Sequence, residues 1–541
     1  MESLNSILVI LPPVLVLATA ALFRHVILSL SIGIISAAFI ASHWSLTATL
    51  TRTFSSIYSV ISDPTSLLLF GFLLALGTLI ELMTHAGGIS ASTSYLKKFV
   101  TTKRSAEGCS LLLSCVFMLD DYLNNLMTGS IIRPLSDSFS IPRVKLAFLL
   151  NSMSSPLCSI IPVTSWAAMI LTQLQTSGVS DTSAQLWLIN ADSLITLLHT
   201  LPFIFYTLFI IISAAIIVLF QLSFGTMKQH EEIALKTGNL FGGKENTQKI
   251  EPDSKKAGSL SNFIIPIAAF IIMLLFFILW TGKSALLGGS SSSFIDTIKN
   301  SSVLASLLLA SVVTLTITSL LYILQKQASL IHIFMSMGRG ISLMKNSLIV
   351  LLLAFSLGTL INGPELNTGG YLAHLISLQL PLALLPVIIF ILATVTTAST
   401  GSSWGTILVL MPLTIQTLTS LASGAYPLFP TLIPLLYPSL GALIAGAVAG
   451  AHLSPITDAT VVSSMAARAN HLDHVKTQIS YSLPAVCGTI VALLITGLTS
   501  TWPLLMSWAV AFAAGLCLTL AILFIRHVIA HRKPKNLVNA L

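Results

Sequence analysis

Long, nearly unbroken apolar runs punctuate this chain. "SLLLFGFLLALGTLIELM" (66–83), "LITLLHTLPFIFYTLFIIISAAIIVLF" (194–220) and "FIIPIAAFIIMLLFFILW" (263–280) approach or exceed the ~18–20 residues that cross a bilayer as a helix. Each predicts a transmembrane helix. The first run, "SILVILPPVLVLATAALF" (6–23), carries a cleavage-like Ala18-Thr19-Ala20, but it lacks a basic n-region and another apolar run follows closely. A first transmembrane helix is therefore expected, not a signal peptide. The one long polar stretch, Lys228 to Ser261, has the mixed charge, Gly and Ser content of a flexible linker. It divides the chain into halves of comparable length.

Composition agrees with this pattern. Of the 541 residues 55% are hydrophobic and only 8% are Asp, Glu, Lys or Arg, whereas a soluble domain carries about 25% charged residues. An all-α polytopic membrane protein is expected. The net charge of +8 does not point to nucleic acid, because no basic stripe with interleaved aromatics accompanies it. Five cysteines (Cys109, Cys115, Cys158, Cys487, Cys517) lie in or beside apolar segments without CxxC pairing, and read as buried small hydrophobes. "HLDH" (471–474) reads as a solvated loop ahead of a metal site, having no further ligands nearby.

The two halves resemble each other. Leu-Gly-Thr-Leu-Ile at 76–80 recurs at 357–361, and both copies soon reach Gly-Gly. More loosely, "SMSSPLCSIIPVTS" (152–165) matches "GAHLSPITDATVVSS" (450–464) through Ser-Pro and a run of hydroxyls. After Gly-Gly the first copy continues "YLKKFVTTKR" (95–104), with four basic residues, and the second "YLAHLISLQL" (371–380), with no Lys or Arg. Lys and Arg mark the cytoplasmic side, so equivalent loops lie on opposite faces and the repeat is inverted. Tracing the crossings puts Arg24, the loops 97–104, 133–145, 228–256, 326–345 and 468–476, and the tail 526–535 inside. Only Arg52, Lys283 and Lys299, of 26 basic residues, fall outside. The path closes only if 107–132 and 383–412 enter and leave by the same face, as re-entrant hairpins or pairs of half-helices.

The expected division is a first repeat at 1–225, a cytoplasmic linker at 226–261, a second, inverted repeat at 262–500, and an extra helix with a basic tail at 501–541, with about 11–13 membrane segments in all. Inverted repeats with broken helices near the midplane are the architecture of secondary transporters.

Three of the 18 acidic residues lie inside this framework: Asp120, Asp121 and Asp458. An ionisable group within the membrane costs several kcal/mol and marks an ion or proton path by default; the bland alternative is that these aspartates cap half-helices or pair with Arg133. On a helix Asp120 shares a face with Asn124, and Asp121 with Asn125 and Thr128. A small cation wants carboxylate, amide and hydroxyl oxygens, with carbonyls freed at helix breaks, and a carboxylate held at low dielectric can exchange a proton for it. The second hairpin, "TTASTGSSWGT" (396–406), offers Ser402 and Ser403 around Gly401, and "AHLSPITDAT" (451–460) adds His452, Ser454, Thr457 and Asp458, with Pro455 breaking the helix. Trp166 and Trp404 are candidate cavity walls, with core packing the safer assumption.

The stretches "LDDYLNNLMTGSIIRPLSD", "KLAFLLNSMSSPLCSIIPVTSW", "STGSSWGT" and "GAHLSPITDATVVSSMAARANHLDHVKTQISYSLP" resemble, in order from about Ser66 to Pro484, the motifs of the NhaC-type sodium/proton antiporter family within the ion transporter superfamily. The resemblance implies exchange of Na+ and H+ by alternating access, without a cofactor, in a bacterial cytoplasmic membrane. It singles out Asp120, Asp121, Asn124, Ser402, His452, Ser454 and Asp458, with Asp120, Asp121 and Asp458 as transient Na+ ligands. The chain departs from the family at Ala451, where Asp is usual, and at Ala459, where Thr is usual. Relatives also exchange organic acids, so a proton- or sodium-coupled organic acid or amino acid exchanger is the alternative. A channel and an intramembrane aspartyl protease using Asp121 and Asp458 are more distant ones. The other partners expected are the lipid bilayer and a second copy of the chain in a homodimer.

Overall fold

The computed structural model describes residues 7–531 apart from 24, 87, 182–186, 245–258, 292–296, 298–299, 362, 369–370, 372–380, 423–425, 434 and 456. Among these residues nearly every segment is helical. The strands Val179–Ser180 and Ile189–Asn190 are two residues each and pair in parallel. Nine described helices are long and apolar enough to cross a membrane, or up to ten with the bent pair Arg143–Ile160 and Ser165–Thr176, and three shorter apolar helices accompany them. Phe205–Phe220, "FYTLFIIISAAIIVLF", is helical although its Ile and Val would suit a strand, because in hydrocarbon each backbone N–H must be bonded within its own segment.

Burial separates core helices from peripheral ones. Leu436–Leu453 has 89% of its apolar window buried, against 22% for Leu504–His531. The last helix is thus peripheral, as are Ser261–Thr281 and Val303–Leu324, at 28% and 33%.

Each half contains a hairpin followed by a broken helix. In the first half Lys103–Val116 and Asp121–Ser138 meet at a short turn. Asn124 Nδ2 donates to the Ser114 carbonyl at 2.7 Å across ten residues, where a continuous helix would hold them about 15 Å apart, so the chain doubles back. In the second half Leu385–Thr400 and Ser403–Leu421 do the same, and Thr397 Oγ1 donates to Thr406 Oγ1 at 2.8 Å across nine residues. Gly401 makes that turn at φ +80°, a backbone conformation strained for any residue with a Cβ. The limbs of both hairpins run beyond the 107–132 and 383–412 read from sequence.

The first broken helix is Arg143–Ile160 and Ser165–Thr176, bent by 42°. The second is Leu436–Leu453 and Asp458–Ala467. Proline lacks the N–H that would continue a helix, and Pro162 and Pro455 occupy the two breaks. This corrects one sequence correspondence: Pro156 lies inside helix Arg143–Ile160, so Ile161-Pro162, not Ser155-Pro156, matches Ser454-Pro455. A Ser-Pro pair is too short a match to fix register. The second broken helix packs tightly on its hairpin, because Gly446 and Gly450 lie directly against the carbonyls of Phe390 and Thr394; small residues at this spacing let two backbones touch.

Loops from both halves meet at two places. At one end Arg143 Nη1 donates to the Ala467 carbonyl and Lys244 pairs with Asp473 at 2.7 Å. Nearby Lys145, fully buried, pairs with Glu107 at 2.8 Å and Glu231 at 2.7 Å, and Lys103 also reaches Glu231. The basic loops 97–104, 133–145, 228–244 and 468–476 are therefore gathered together. At another place the loop after the first broken helix meets the loop after the second hairpin: Asn190 N donates to Leu428 O, and Leu428 N to Leu188 O, both at 2.9 Å.

Three expectations change. The front of the polar stretch 228–261 is not a loose linker: Gly225–Thr237 is a helix, with Met227, His230, Glu231 and Ala234 on its buried face. "HLDH" is the first turn of helix His471–Leu498, capped by Asn470, with Asp473 and His474 buried. Cys115, Cys487 and Cys517 are exposed and only Cys158 is buried, all five being free thiols. Arg24, Lys299, 371–380 beyond Tyr371, residues 245–256 and the tail beyond His531 lie outside the described residues, so their assigned sides have no structural counterpart.

Candidate functional site

The four chain breaks converge on one cavity of about 70 Å³. The first hairpin contributes Asp121 and Tyr122, the first broken helix Ser155 and Trp166, the second hairpin Gly401 to Trp404, and the second broken helix Thr457, Asp458 and Ala459; Val350 completes the wall. Trp166 and Trp404 meet edge to face at 6.4 Å and line the cavity while also packing on the core, although core packing alone is the safer expectation from sequence.

Asp120 and Asp121 have different settings. Asp120 is the N-cap of Asp121–Ser138: its Oδ1 accepts from Tyr122 N at 3.0 Å and Leu123 N at 3.1 Å, and its Oδ2 from Ser165 Oγ at 2.8 Å. Those three bonds occupy it outside the cavity lining. Asp121, one residue on, lines the cavity. Ser155 Oγ donates to its Oδ2 at 3.0 Å, while its buried Oδ1 has no hydrogen-bond partner among the described residues. Asp121 also feels the charges of both Asp120 and Asp458, and like charges at low dielectric favour a cation or proton between them.

Asp458 sits at the open side. It begins helix Asp458–Ala467 and is exposed, as is Met465 seven residues on along the same face. A carboxylate in contact with lipid would be very costly, and Tyr122 from the first hairpin lies beside this one. Among the described residues no three His, Cys, Asp or Glu side chains group as metal ligands, and of Asp120, Asp121 and Asp458 the last two line the cavity. Spending Asp120 on the cap separates it from the others. Any cation here would be held by Asp121 and Asp458 with neutral oxygens.

The remaining expected residues divide between lining and support. Ser402, Ser403 and Thr457 line the cavity. Ser402 Oγ caps its helix by accepting from Gly405 N at 3.0 Å. Asn124 holds the first hairpin closed, and Thr128 donates to its Oδ1 at 3.4 Å. Asn125 Nδ2 donates to Asp121 O and to Ser154 Oγ, and its buried Oδ1 has no hydrogen-bond partner among the described residues. His452 is fully buried behind the cavity, between Tyr206 OH at 2.8 Å and the Asn151 carbonyl at 3.1 Å. Ser454 Oγ donates to the Ala398 carbonyl at 2.7 Å. Ala451 is buried and does not line the cavity.

Sequence reasoning missed Tyr122, Ser155, Ser165 and Val350. Ser155 and Ser165 lie within the hydroxyl run flanking the first break, which was a readable signal. Nothing in the local pattern marks Val350.

The model of the Na+/H+ antiporter family matches residues 157–498, more than half of the chain, from the last turn before the first helix break to the end of helix His471–Leu498. The chain belongs to the Na+/H+ antiporter family. A protein of Haemophilus influenzae, described as uncharacterized, is 31% identical to this antiporter-family chain over 501 residues, 92% of each. The transporter YdaH of Alcanivorax borkumensis, described as having an unusual topology, has a similar fold at 14% identity, with a TM-score of 0.52 over 84% of this chain and 90% of its own. This member of the Na+/H+ antiporter family is a multi-pass membrane protein and a secondary transporter.

Proposed function

We propose that the protein is an NhaC-type Na+/H+ antiporter working by alternating access. The observation that carries this is the meeting of two hairpin turns and two helix breaks around Asp121 and Asp458. Asp121 Oδ1, unpartnered, would bind Na+ together with hydroxyl and carbonyl oxygens from the breaks, a hard oxygen set suited to a small cation. A proton on the same carboxylate would exclude the cation. Competition for one group couples the two flows.

Size favours this cargo over an organic anion. A cavity of about 70 Å³ has room for a cation with several waters at about 10–15 Å³ each, whereas small-molecule sites occupy about 300–1,000 Å³. Two carboxylates would also repel an organic acid. Family membership favours transport over a protease role for Asp121 and Asp458.

Inverted repeats are part of this reading. The start of the first broken helix contacts the end of the second, and the loop beyond the first contacts the loop before the second, which supports equivalent segments running in opposite senses. Basic loops mark the cytoplasmic side, and in that orientation the exposed face of Asp458 opens inward across a bacterial cytoplasmic membrane. The test is flux in proteoliposomes under imposed Na+ and pH gradients. Na+-dependent proton movement in the wild type and none in Asp121→Asn is expected. Organic-acid flux without Na+ coupling would overturn the proposal.

A further inference from the structure

Asn151 and Thr460 connect the two walls of the cavity from behind. Asn151 lies on the first broken helix, one turn before Ser155, whose hydroxyl donates to Asp121. Its Nδ2 donates to Thr460 Oγ1 at 3.3 Å. Thr460 lies two residues after Asp458, on the helix that Asp458 begins, and its Oγ1 is 3.0 Å from that of Thr457 on the cavity wall. Four residues of helix rise about 6 Å and two about 3 Å, so this crossing sits within a turn of both positions.

His452 doubles the crossing. It belongs to the other limb of the second broken helix, Leu436–Leu453, and its Nε2 lies 3.1 Å from the Asn151 carbonyl. A carbonyl only accepts, so Nε2 carries the hydrogen. Nδ1 then accepts from Tyr206 OH at 2.8 Å, and the phenol in turn meets Ser482. A neutral ring makes both bonds at once, and neither partner is a carboxylate that would repay a buried charge. Asn151 thus grips the second broken helix on both sides of its break, at His452 before it and at Thr460 after it. All three residues are fully buried.

We infer that Asn151 and His452 are positioning residues for the transport site: together they fix the second break against the first broken helix, and so set the spacing of Asp121 and Asp458. This rests on those two carboxylates forming the Na+ site. It gives His452, which the family resemblance groups with the ion-binding residues, a role without contact to ion or transported proton. The far end of helix Asp458–Ala467 is held separately, where Arg133 and Arg143 donate to the carbonyls of Ala466 and Ala467. Tyr122 meets Asp458 from the cavity side. Asn151 ties the near end of that helix, behind the carboxylate. Attraction of a cation to two carboxylates falls with distance, so a shift at this crossing weakens Na+ binding before it stops transport.

Na+-driven proton flux in proteoliposomes, and the rise in thermal midpoint that bound Na+ gives the purified full-length protein, test this. Asn151→Ala and His452→Ala should raise the apparent KM for Na+ severalfold with a smaller change in maximal rate. Both should need correspondingly more Na+ for the same thermal shift. His452→Gln, whose amide can still donate to the Asn151 carbonyl, should keep most of the wild-type KM and the wild-type pH profile. Thr164→Val, which loosens the first break without touching this crossing, should lower the thermal midpoint and leave KM unchanged.

Wild-type KM in Asn151→Ala, or an equal rise in Thr164→Val, overturns the inference. Loss of exchange in His452→Gln as complete as in His452→Ala makes His452 a ligand or proton carrier and overturns it too. If Asn151→Ala is not recovered folded, Thr460→Val removes the same bond from the other side, and an unchanged KM there counts equally against it. The two assays keep the readings apart. A Na+-induced thermal shift that weakens in the Asn151 and His452 variants, without Na+/H+ exchange in the wild type, would sink antiport and leave the positioning role standing. No effect of Na+ in either assay overturns both.

Discussion

Thr164 and Thr457 make the same hydrogen bonds in the two halves of the molecule. Thr164 Oγ1 donates to the Cys158 carbonyl at 2.7 Å, and Thr457 Oγ1 to the Ala451 carbonyl at 2.7 Å, each across six residues. Both hydroxyls also face the carbonyl three residues back, Ile161 and Ser454. Each threonine closes a helix break by bonding a carbonyl that the interrupted helix leaves open. A net stabilisation of about 0.5–1.5 kcal/mol is usual for one such bond. Thr164→Val and Thr457→Val should both lower the thermal midpoint modestly. Only Thr457 lines the cavity, so Thr457→Val should also weaken Na+ dependence of flux, and equal flux loss in both variants would refute that distinction.

Asp120 and Asp121 should separate under mutation. Asparagine caps a helix about as well as aspartate, whereas losing the cap to alanine costs about 0.5–2 kcal/mol. Asp120→Asn should therefore keep much of the coupled flux, and Asp120→Ala should lose stability in a thermal scan. Asp121→Asn should fold normally and lose coupled flux. Wild-type flux in Asp121→Asn would remove Asp121 from the proposed site.

Much of this was legible in the chain. Apolar run length gave the spanning helices, and the cavity-lining Asp121, Ser402, Ser403, Thr457 and Asp458 stand out in the sequence as polar groups within apolar segments. Residue type could not separate Asp120 from Asp121, because a capping carboxylate and a cavity carboxylate differ only in where the helix starts. His474 was misread for a similar reason. Its polar neighbours in sequence suggest a loop, and its burial comes from Ser464 and Gln478, met through tertiary packing.

The charge cluster around Lys145 gives a stability prediction with a definite sign. Lys145 is buried between Glu107 and Glu231, and Gln221 Nε2 donates to the other Glu107 oxygen at 2.8 Å. Removing one member of a buried pair typically costs about 3–5 kcal/mol, since the partner charge stays behind, whereas replacing the whole set by neutral groups is often tolerated. Lys145→Met should sharply reduce the thermal midpoint in detergent. Adding Glu107→Gln and Glu231→Gln should restore most of it. If the triple variant is no more stable than Lys145→Met alone, stranded charge is not the cause.

Topology can be tested at positions that the structure describes. Lys103 and Lys476 belong to opposite halves, yet their loops are joined to one charged end through Lys103–Glu231–Lys145 and Asp473–Lys244. Phe429, exposed, lies beside Leu428 in the loop that bonds Leu188 and Asn190. If basic loops mark the cytoplasmic side, single cysteines replacing Lys103 and Lys476 should be shielded from an impermeant thiol reagent in intact cells and react after permeabilisation. Phe429→Cys should react from outside without permeabilisation. Labelling of all three from one face would remove the inverted arrangement, and with it the inward opening assigned to the face of Asp458.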